Sequence, residues 1–127
     1  MARLNPKDLL LAPRLDRRQV ASMLSPYGFK ETEQADANLQ AMADDPMARQ
    51  FLSEIIEELL FCLSRSADPD QALNYLERFT KAAVNKIRFL SYLKENPRTL
   101  ELLAKIFGGS PFRSEILIRD PHYLYWV

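Results

Sequence analysis

The stretch that decides the fold is Asp68-Pro69-Asp70-Gln71-Ala72-Leu73-Asn74-Tyr75-Leu76-Glu77-Arg78-Phe79. Asp68 is a helix N-cap residue type, and Pro69 suits the first helical position, where its missing N–H has no intrahelical partner to lose. Ala72, Leu73, Leu76 and Phe79 recur at steps of three and four, which places them on one helical face. Gln71, Asn74, Glu77 and Arg78 then fall on the other. The spacing predicts an amphipathic helix from Pro69 to at least Ala83, with Glu77 four residues ahead of Lys81 for modest surface support.

The same punctuation recurs along the chain. Of eight prolines, seven follow Asn, Ser or Asp: Asn5-Pro6, Ser25-Pro26, Asp45-Pro46, Asp68-Pro69, Asn96-Pro97, Ser110-Pro111 and Asp120-Pro121. Strand signals are nearly missing, with no period-two run of β-branched residues and no Asn-Gly or Asp-Gly hairpin turn. The chain therefore reads as all-α, a compact bundle of about six to eight short helices. The uneven spacing of the cap-proline pairs argues against a fixed-period helical array.

Working outward on the N-terminal side, Asp45-Pro46 opens the longest element, to about Ser64. Met47, Phe51, Leu52, Ile55, Leu59 and Leu63 form its inner face, and Gln50, Ser53, Glu54, Glu57 and Glu58 face water. Phe61 lies near the polar side, which implies that a neighbour covers that flank too. A helix from Thr32 to about Ala43 buries Ala35, Leu39 and Met42. A short helix runs from Asp16 to Leu24 and is ended by Ser25-Pro26-Tyr27-Gly28. Residues 1–15 are expected to be a flexible or partly helical arm, and residues 16–127 the helical domain.

On the C-terminal side a break is expected near Asn85. A helix from Asn96-Pro97 places Leu100, Leu103, Ile106 and Phe107 inside, with Gly108-Gly109 as its stop. Ser110-Pro111 restarts at once and buries Phe112, Ile116 and Leu117. Asp120-Pro121 begins a final helix through His122, Tyr123, Leu124, Tyr125, Trp126 and Val127. That helix has a start signal and large apolar side chains but neither a polar tail nor a cap. Residue 127 accordingly reads as a boundary inside a longer protein, and the chain as an excised N-terminal fragment.

Composition narrows the function. A chain of 127 residues is one domain by length. Its 17 basic and 17 acidic residues cancel, which argues against the basic footprint of a nucleic-acid binder. A single cysteine, Cys62, excludes an internal disulfide, and a single histidine, His122, leaves too few soft ligands for zinc. No apolar run is long enough to span a membrane, and no secretory leader is recognisable. A cytoplasmic protein without nucleic-acid or membrane partners is the expectation. The charge is uneven, however. Ten acidic residues against Arg49 and Arg65 lie between Glu31 and Asp70, and seven basic residues against Glu95 and Glu101 lie between Arg78 and Lys105. Two packed helices with complementary fields would explain this; so would a basic surface for an acidic partner.

No constellation of residues assembles a complete catalytic site. Asp68-x-Asp70 has the look of a Mg²⁺-binding pair, but Asp68 is better used as a cap and Pro69 fixes a helix start between the carboxylates. Gly108-Gly109-Ser110 lacks the lysine and hydroxyl residue of a phosphate-binding loop and reads as stop-then-start punctuation. His122 has no nucleophile or acid at triad spacing. Cys62, between Phe61 and Leu63, reads as a small core residue. Tyr123, Tyr125 and Trp126 could stack on bases, yet no interleaved basic cluster accompanies them, and packing is the better reading. No catalytic, cofactor-binding or metal-binding residue is assigned.

Five ordered blocks nevertheless carry a resemblance. They are Tyr27-Gly28-Phe29; residues 37–46, from Ala37-Asn38-Leu39 to Asp45-Pro46; residues 67–79; Tyr92-Leu93-Lys94-Glu95-Asn96-Pro97 with residues 102–112; and Leu117-Ile118-Arg119-Asp120-Pro121. Together they resemble the N-terminal helical part of the bacterial glutamine synthetase adenylyltransferases, the bifunctional adenylylating and deadenylylating enzymes. The resemblance covers about residues 20–127. It implies a non-catalytic helical region that braces a following nucleotidyltransferase domain. In that family two such domains attach and remove AMP on glutamine synthetase, using Mg²⁺ with ATP or phosphate, under P-II signalling proteins and glutamine. ATP and Mg²⁺ are thus implied for the parent protein and not for this chain, and glutamine synthetase and a P-II protein are the implied partners. The family's catalytic motif is a Gly-Ser turn followed by Asp-x-Asp on a strand. Here the one Asp-x-Asp precedes the one Gly-Ser, so no catalytic residue carries over. The alternative is an independent helical protein–protein interaction module with no enzymatic parent, docking through its apolar C-terminal helix.

Overall fold

The computed structural model describes residues 5–12 and 15–126, with the backbone alone for Tyr125 and Trp126. Eight α-helices are found among them: α1 (Asp8–Leu11), α2 (Arg17–Leu24), α3 (Thr32–Met42), α4 (Pro46–Ser64), α5 (Pro69–Ala82), α6 (Lys86–Glu95), α7 (Pro97–Gly109) and α8 (Pro111–Arg119). Two short 3₁₀ turns, Ser25–Tyr27 and Pro121–Trp126, complete the order, and the described residues contain no strand.

Side-chain caps mark the starts of α2, α4, α5, α6 and α8, whereas Lys7, Glu31 and Asn96 supply none for α1, α3 and α7. The Asp45 carboxylate accepts from Ala48 N–H (2.8 Å), that of Asp68 from Gln71 N–H (3.1 Å), and the Ser110 hydroxyl from Arg113 N–H (3.2 Å), each just ahead of a proline at the first helical position. Asp16 and Gln19 form a reciprocal capping box at α2 (2.8 and 2.9 Å). Asn85 caps α6 through Arg88 N–H (3.0 Å), which places the expected break between α5 and α6.

α5 lies at the centre. It packs along α7 on one side and α3 on the other, while α4 lies against α6 and α7. Phe79, Phe89 and Phe107 are fully buried where α5, α6 and α7 meet. The Phe79 ring centroid lies 4.9 Å from that of Phe89 and 5.8 Å from that of Phe107, both tilted, a favourable arrangement for aromatic quadrupoles. Leu52, Ile56, Leu59, Leu60 and Leu63 of α4 and Leu73 and Leu76 of α5 extend this core. At the N-terminal end α1 buries Leu9 and Leu10. The orphan carbonyls of that short helix are satisfied from outside, Leu9 by the Gln40 amide (2.7 Å) and Leu10 by the Arg49 guanidinium (2.9 Å).

Several expectations of facing need correction. Met47 (59% exposed) and Phe61 (53%) lie at the surface of α4; Arg65 stacks over the Phe61 ring at 5.6 Å, and no described helix covers that flank. Ser53 is buried instead of facing water, which its hydroxyl tolerates by donating to the Gln50 carbonyl of its own helix (2.7 Å). On α8, Phe112 is 77% exposed and Ile116 is exposed as well, so only Leu117 of the three expected apolar residues turns inward. α7 runs through Gly108 and Gly109 and stops at Ser110, whose extended conformation (φ −139°, ψ 94°) is the one a following proline favours. The last segment is a 3₁₀ turn and not an α-helix, and Val127 lies outside the described residues.

Candidate functional site

The start of α5 is where the residues that drew attention in the sequence meet. Asp70 sits in the first turn and points across to the connection entering α3. Its Oδ2 accepts from Lys30 N–H (2.9 Å) and its Oδ1 from Glu31 N–H (3.2 Å). Those donors lie just ahead of α3, at its cap position and the residue before it, and Glu31 itself supplies no side-chain bond. A carboxylate some forty residues away thus pins the segment that enters α3 through charge-assisted hydrogen bonds. With Asp68 Oδ1 engaged by Gln71 N–H, three of the four carboxylate oxygens of the Asp-x-Asp pair accept backbone donors. An Mg²⁺ site needs oxygens free to converge on the ion. This pair does not fit one, and no chemical step follows from it.

Two glycines bring other chain segments to the same corner. Gly28 closes the Ser25–Tyr27 turn in the left-handed region (φ 92°), and a Cβ there would stand 3.4 Å from the Pro69 ring. Gly108 lies under the connection between α4 and α5; a Cβ there would sit 2.6 Å from both Cβ and Oγ of Ser66 and 3.3 Å from the Asp68 carbonyl. Gln71 closes the corner by donating to the Phe107 carbonyl at the end of α7 (3.0 Å). Residues 28–31, 66–71 and 107–108 are therefore assembled in space by close backbone approach and hydrogen bonds.

The polar face of α5 continues as a seam. Asn74 accepts from the Asn38 amide (2.6 Å), which in turn accepts from Gln34 (3.1 Å), tying α5 to α3. Arg78 forms a two-pronged pair with Glu115 of α8 (2.8 and 3.0 Å) and lies over the Tyr75 ring at 5.5 Å. Gln71, Asn74 and Arg78, three of the four residues assigned to the outer face of this helix, are its lateral fasteners. Periodicity alone gave no sign of that.

Electrostatics follows the same pattern. Lys86 pairs with Asp44 and Lys94 with Glu54, so basic α6 is joined to the acidic stretch containing α4. Those hydrogen bonds hold the Asp44 and Glu54 carboxyls below the usual carboxylate range, and Arg78 does the same for Glu115. Four of the seven basic residues between Arg78 and Lys105 have partners in this way, Lys81 taking Glu77 at 3.3 Å.

The remaining candidates do not converge on this corner. Cys62 is buried in the core, and burial, with Glu58 and Glu101 behind it, pushes its thiol up and away from the nucleophilic thiolate. His122 is exposed in the final 3₁₀ turn, Tyr123 is half-exposed beside it, and the side chains of Tyr125 and Trp126 lie outside the description. No described helix is long and apolar enough to cross a membrane.

What these features define is an all-α bundle whose conspicuous carboxylates and glycines hold backbone to backbone. In sequence it is similar to one segment of the bacterial bifunctional glutamine synthetase adenylyltransferase/adenylyl-removing enzymes. The enzyme of Corynebacterium efficiens is 26% identical over 114 residues (89% of this chain, 11% of the relative). That of Xanthobacter autotrophicus is 30% identical over 121 residues (90% and 12%), and that of Rhodopseudomonas palustris 34% identical over 76 residues (60% and 7%). The chain thus spans about a tenth of the length of these relatives. No protein-family model matches it, and no solved structure matches it significantly.

Proposed function

We propose that this chain is a non-catalytic helical region of a larger cytoplasmic protein resembling the glutamine synthetase adenylyltransferase/adenylyl-removing enzymes, and that it braces a nucleotidyltransferase domain following it. On this reading the parent protein transfers AMP to glutamine synthetase and removes it, with ATP and Mg²⁺ acting at the following domain. Glutamine synthetase and a P-II protein are its partners. The observation that carries the reading is the similarity to those enzymes along nearly the whole chain. The engagement of Asp68 and Asp70 with backbone donors supports the non-catalytic part, because it leaves the one Asp-x-Asp occupied with holding the scaffold.

The test is to read the gene beyond codon 127. The expected result is an open frame encoding, within the next hundred or so codons, a Gly-Ser turn followed by Asp-x-Asp in a strand-forming context. A frame without that segment overturns the proposal and leaves the independent interaction module. As a second check, the purified 127-residue chain with ATP, Mg²⁺ and glutamine synthetase should transfer no AMP; clear transfer would contradict the non-catalytic assignment.

A further inference from the structure

Segment 5–12, which contains α1, packs across α3 and α4, and its bonds fall into two separate sets. The first set is internal. The Asn5 N–H donates to the Asp8 carboxylate (2.8 Å) and the Lys7 N–H to the Asn5 side-chain carbonyl (3.0 Å). Leu10 and Leu11 N–H donate to the Lys7 carbonyl (3.0 and 2.9 Å), and Ala12 N–H donates to that of Asp8 (3.0 Å). Past the segment, α2 is started by its own Asp16–Gln19 capping box, so its first turn draws nothing from α1.

The second set ties the segment to the bundle, and it is small. Leu9 and Leu10 are buried, whereas Leu11 is exposed. Gln40 Nε2 donates to the Leu9 carbonyl (2.7 Å) and Arg49 Nη1 to the Leu10 carbonyl (2.9 Å); these are the segment's hydrogen bonds to the bundle among the described residues. The two donors also hold each other. Arg49 Nη1 reaches Gln40 Oε1 (2.9 Å), and Gln40 Nε2 reaches Asp36 Oδ1 (3.2 Å). Both carbonyls thus hang on one connected cluster, and loosening either bond disturbs the other. Two buried leucines set against the conformational freedom of eight ordered residues leave a thin margin.

We infer that segment 5–12 is a strap that lifts off α3 and α4 in one step while the α3–α7 core stays folded, with Arg49 as its fastening. Lifting breaks the two carbonyl bonds and uncovers Leu9 and Leu10 together with their seat. It touches neither the internal bonds of the segment nor the cap of α2. The Gln40 and Arg49 donors beside that seat become available only in the lifted state. The inference is independent of the enzyme-like parentage proposed above.

The experiment is native-state hydrogen exchange by NMR on the full ¹⁵N-labelled chain and its Arg49→Met variant, in water and in urea below the unfolding midpoint. The amides of Leu10, Leu11 and Ala12 should share one protection factor, at least about a hundred-fold below those of Leu76 and Phe79 in α5. Urea should accelerate exchange in α5 and leave that of the strap nearly unchanged, since lifting exposes little surface. Arg49→Met should lower the strap's protection roughly two- to ten-fold, the worth of one hydrogen bond, and leave that of α5 in place. Four results would each overturn the inference: strap amides as protected as those of α5, no protection at all, protection graded from residue to residue as in fraying, or rates indifferent to Arg49→Met.

Discussion

The two ends of the α5–α8 half of the molecule are written in the same sequence style and behave differently. α5 and α8 each begin with a capping residue and a proline, and each carries apolar residues at helical spacing. α5 is clasped by α3, α7 and α8 and buries Leu73, Leu76 and Phe79 completely. α8 touches α5, α7 and the final turn, buries Ser114 and Leu117, and leaves Phe112 and Ile116 in water. The difference teaches that punctuation sets where a helix starts, whereas the number of neighbours decides how much of its apolar face is covered.

Substitutions can break this contrast, beginning with the largest effect. Phe79→Ala should cost about 3–5 kcal/mol, because it removes the ring that joins Phe89 and Phe107 and leaves a cavity at a three-helix junction. Urea unfolding followed by circular dichroism would measure it. Gly108→Ala and Gly109→Ala sharpen the comparison at adjacent positions. The first drives a Cβ into Ser66, whose short side chain cannot move without its backbone, and should cost about 1–3 kcal/mol. The second meets nothing within 4 Å and should gain about 0.5 kcal/mol from reduced chain entropy. Phe112→Ser, by contrast, should change the stability of this chain by less than about 0.5 kcal/mol, since its side chain is already in water.

Acid sensitivity separates the seams from the core. Asp44, Glu54 and Glu115 have carboxyls held low by Lys86, Lys94 and Arg78, so their contribution is present above the ordinary carboxylate pKa and is lost as pH falls through the depressed values. Stability should therefore decline below about pH 4. Glu115→Gln, which has no carboxyl to protonate, should lose less between pH 7 and pH 3 in thermal melts. An acid profile identical to that of the parent chain would contradict the assigned role of the pair.

Much of this architecture was legible in the residues. Asp45, Asp68 and Ser110 cap the helices that their prolines open, and Asn85 marks the break after α5. Those signals are local, a side-chain oxygen within reach of a backbone N–H three residues on. What escaped was set by distant neighbours. Ser53 is buried because neighbouring elements close over that side of α4, which its hydroxyl tolerates by bonding within its own helix, and Phe61 and Phe112 are exposed because no described element covers them. The corner at α5 was half visible: Asp68 as a cap could be read, whereas Asp70 as an anchor for residues 30 and 31 depends on a contact forty positions away. Gly108 read as a helix stop for the same reason, since its close approach to Ser66 has no trace in local sequence.

At the start of α5 the Asp-x-Asp carboxylates hold backbone donors, the arrangement on which the corner depends. The most direct test is the urea midpoint of the parent chain and of Asp70→Ala, each with and without millimolar Mg²⁺. Asp70→Ala should lose about 0.5–1.5 kcal/mol, the net worth of hydrogen bonds whose exposed donors water can take over, and Mg²⁺ should leave both midpoints where they are. An unchanged midpoint for the variant, or an Mg²⁺-dependent rise in the parent chain that the variant loses, would contradict it.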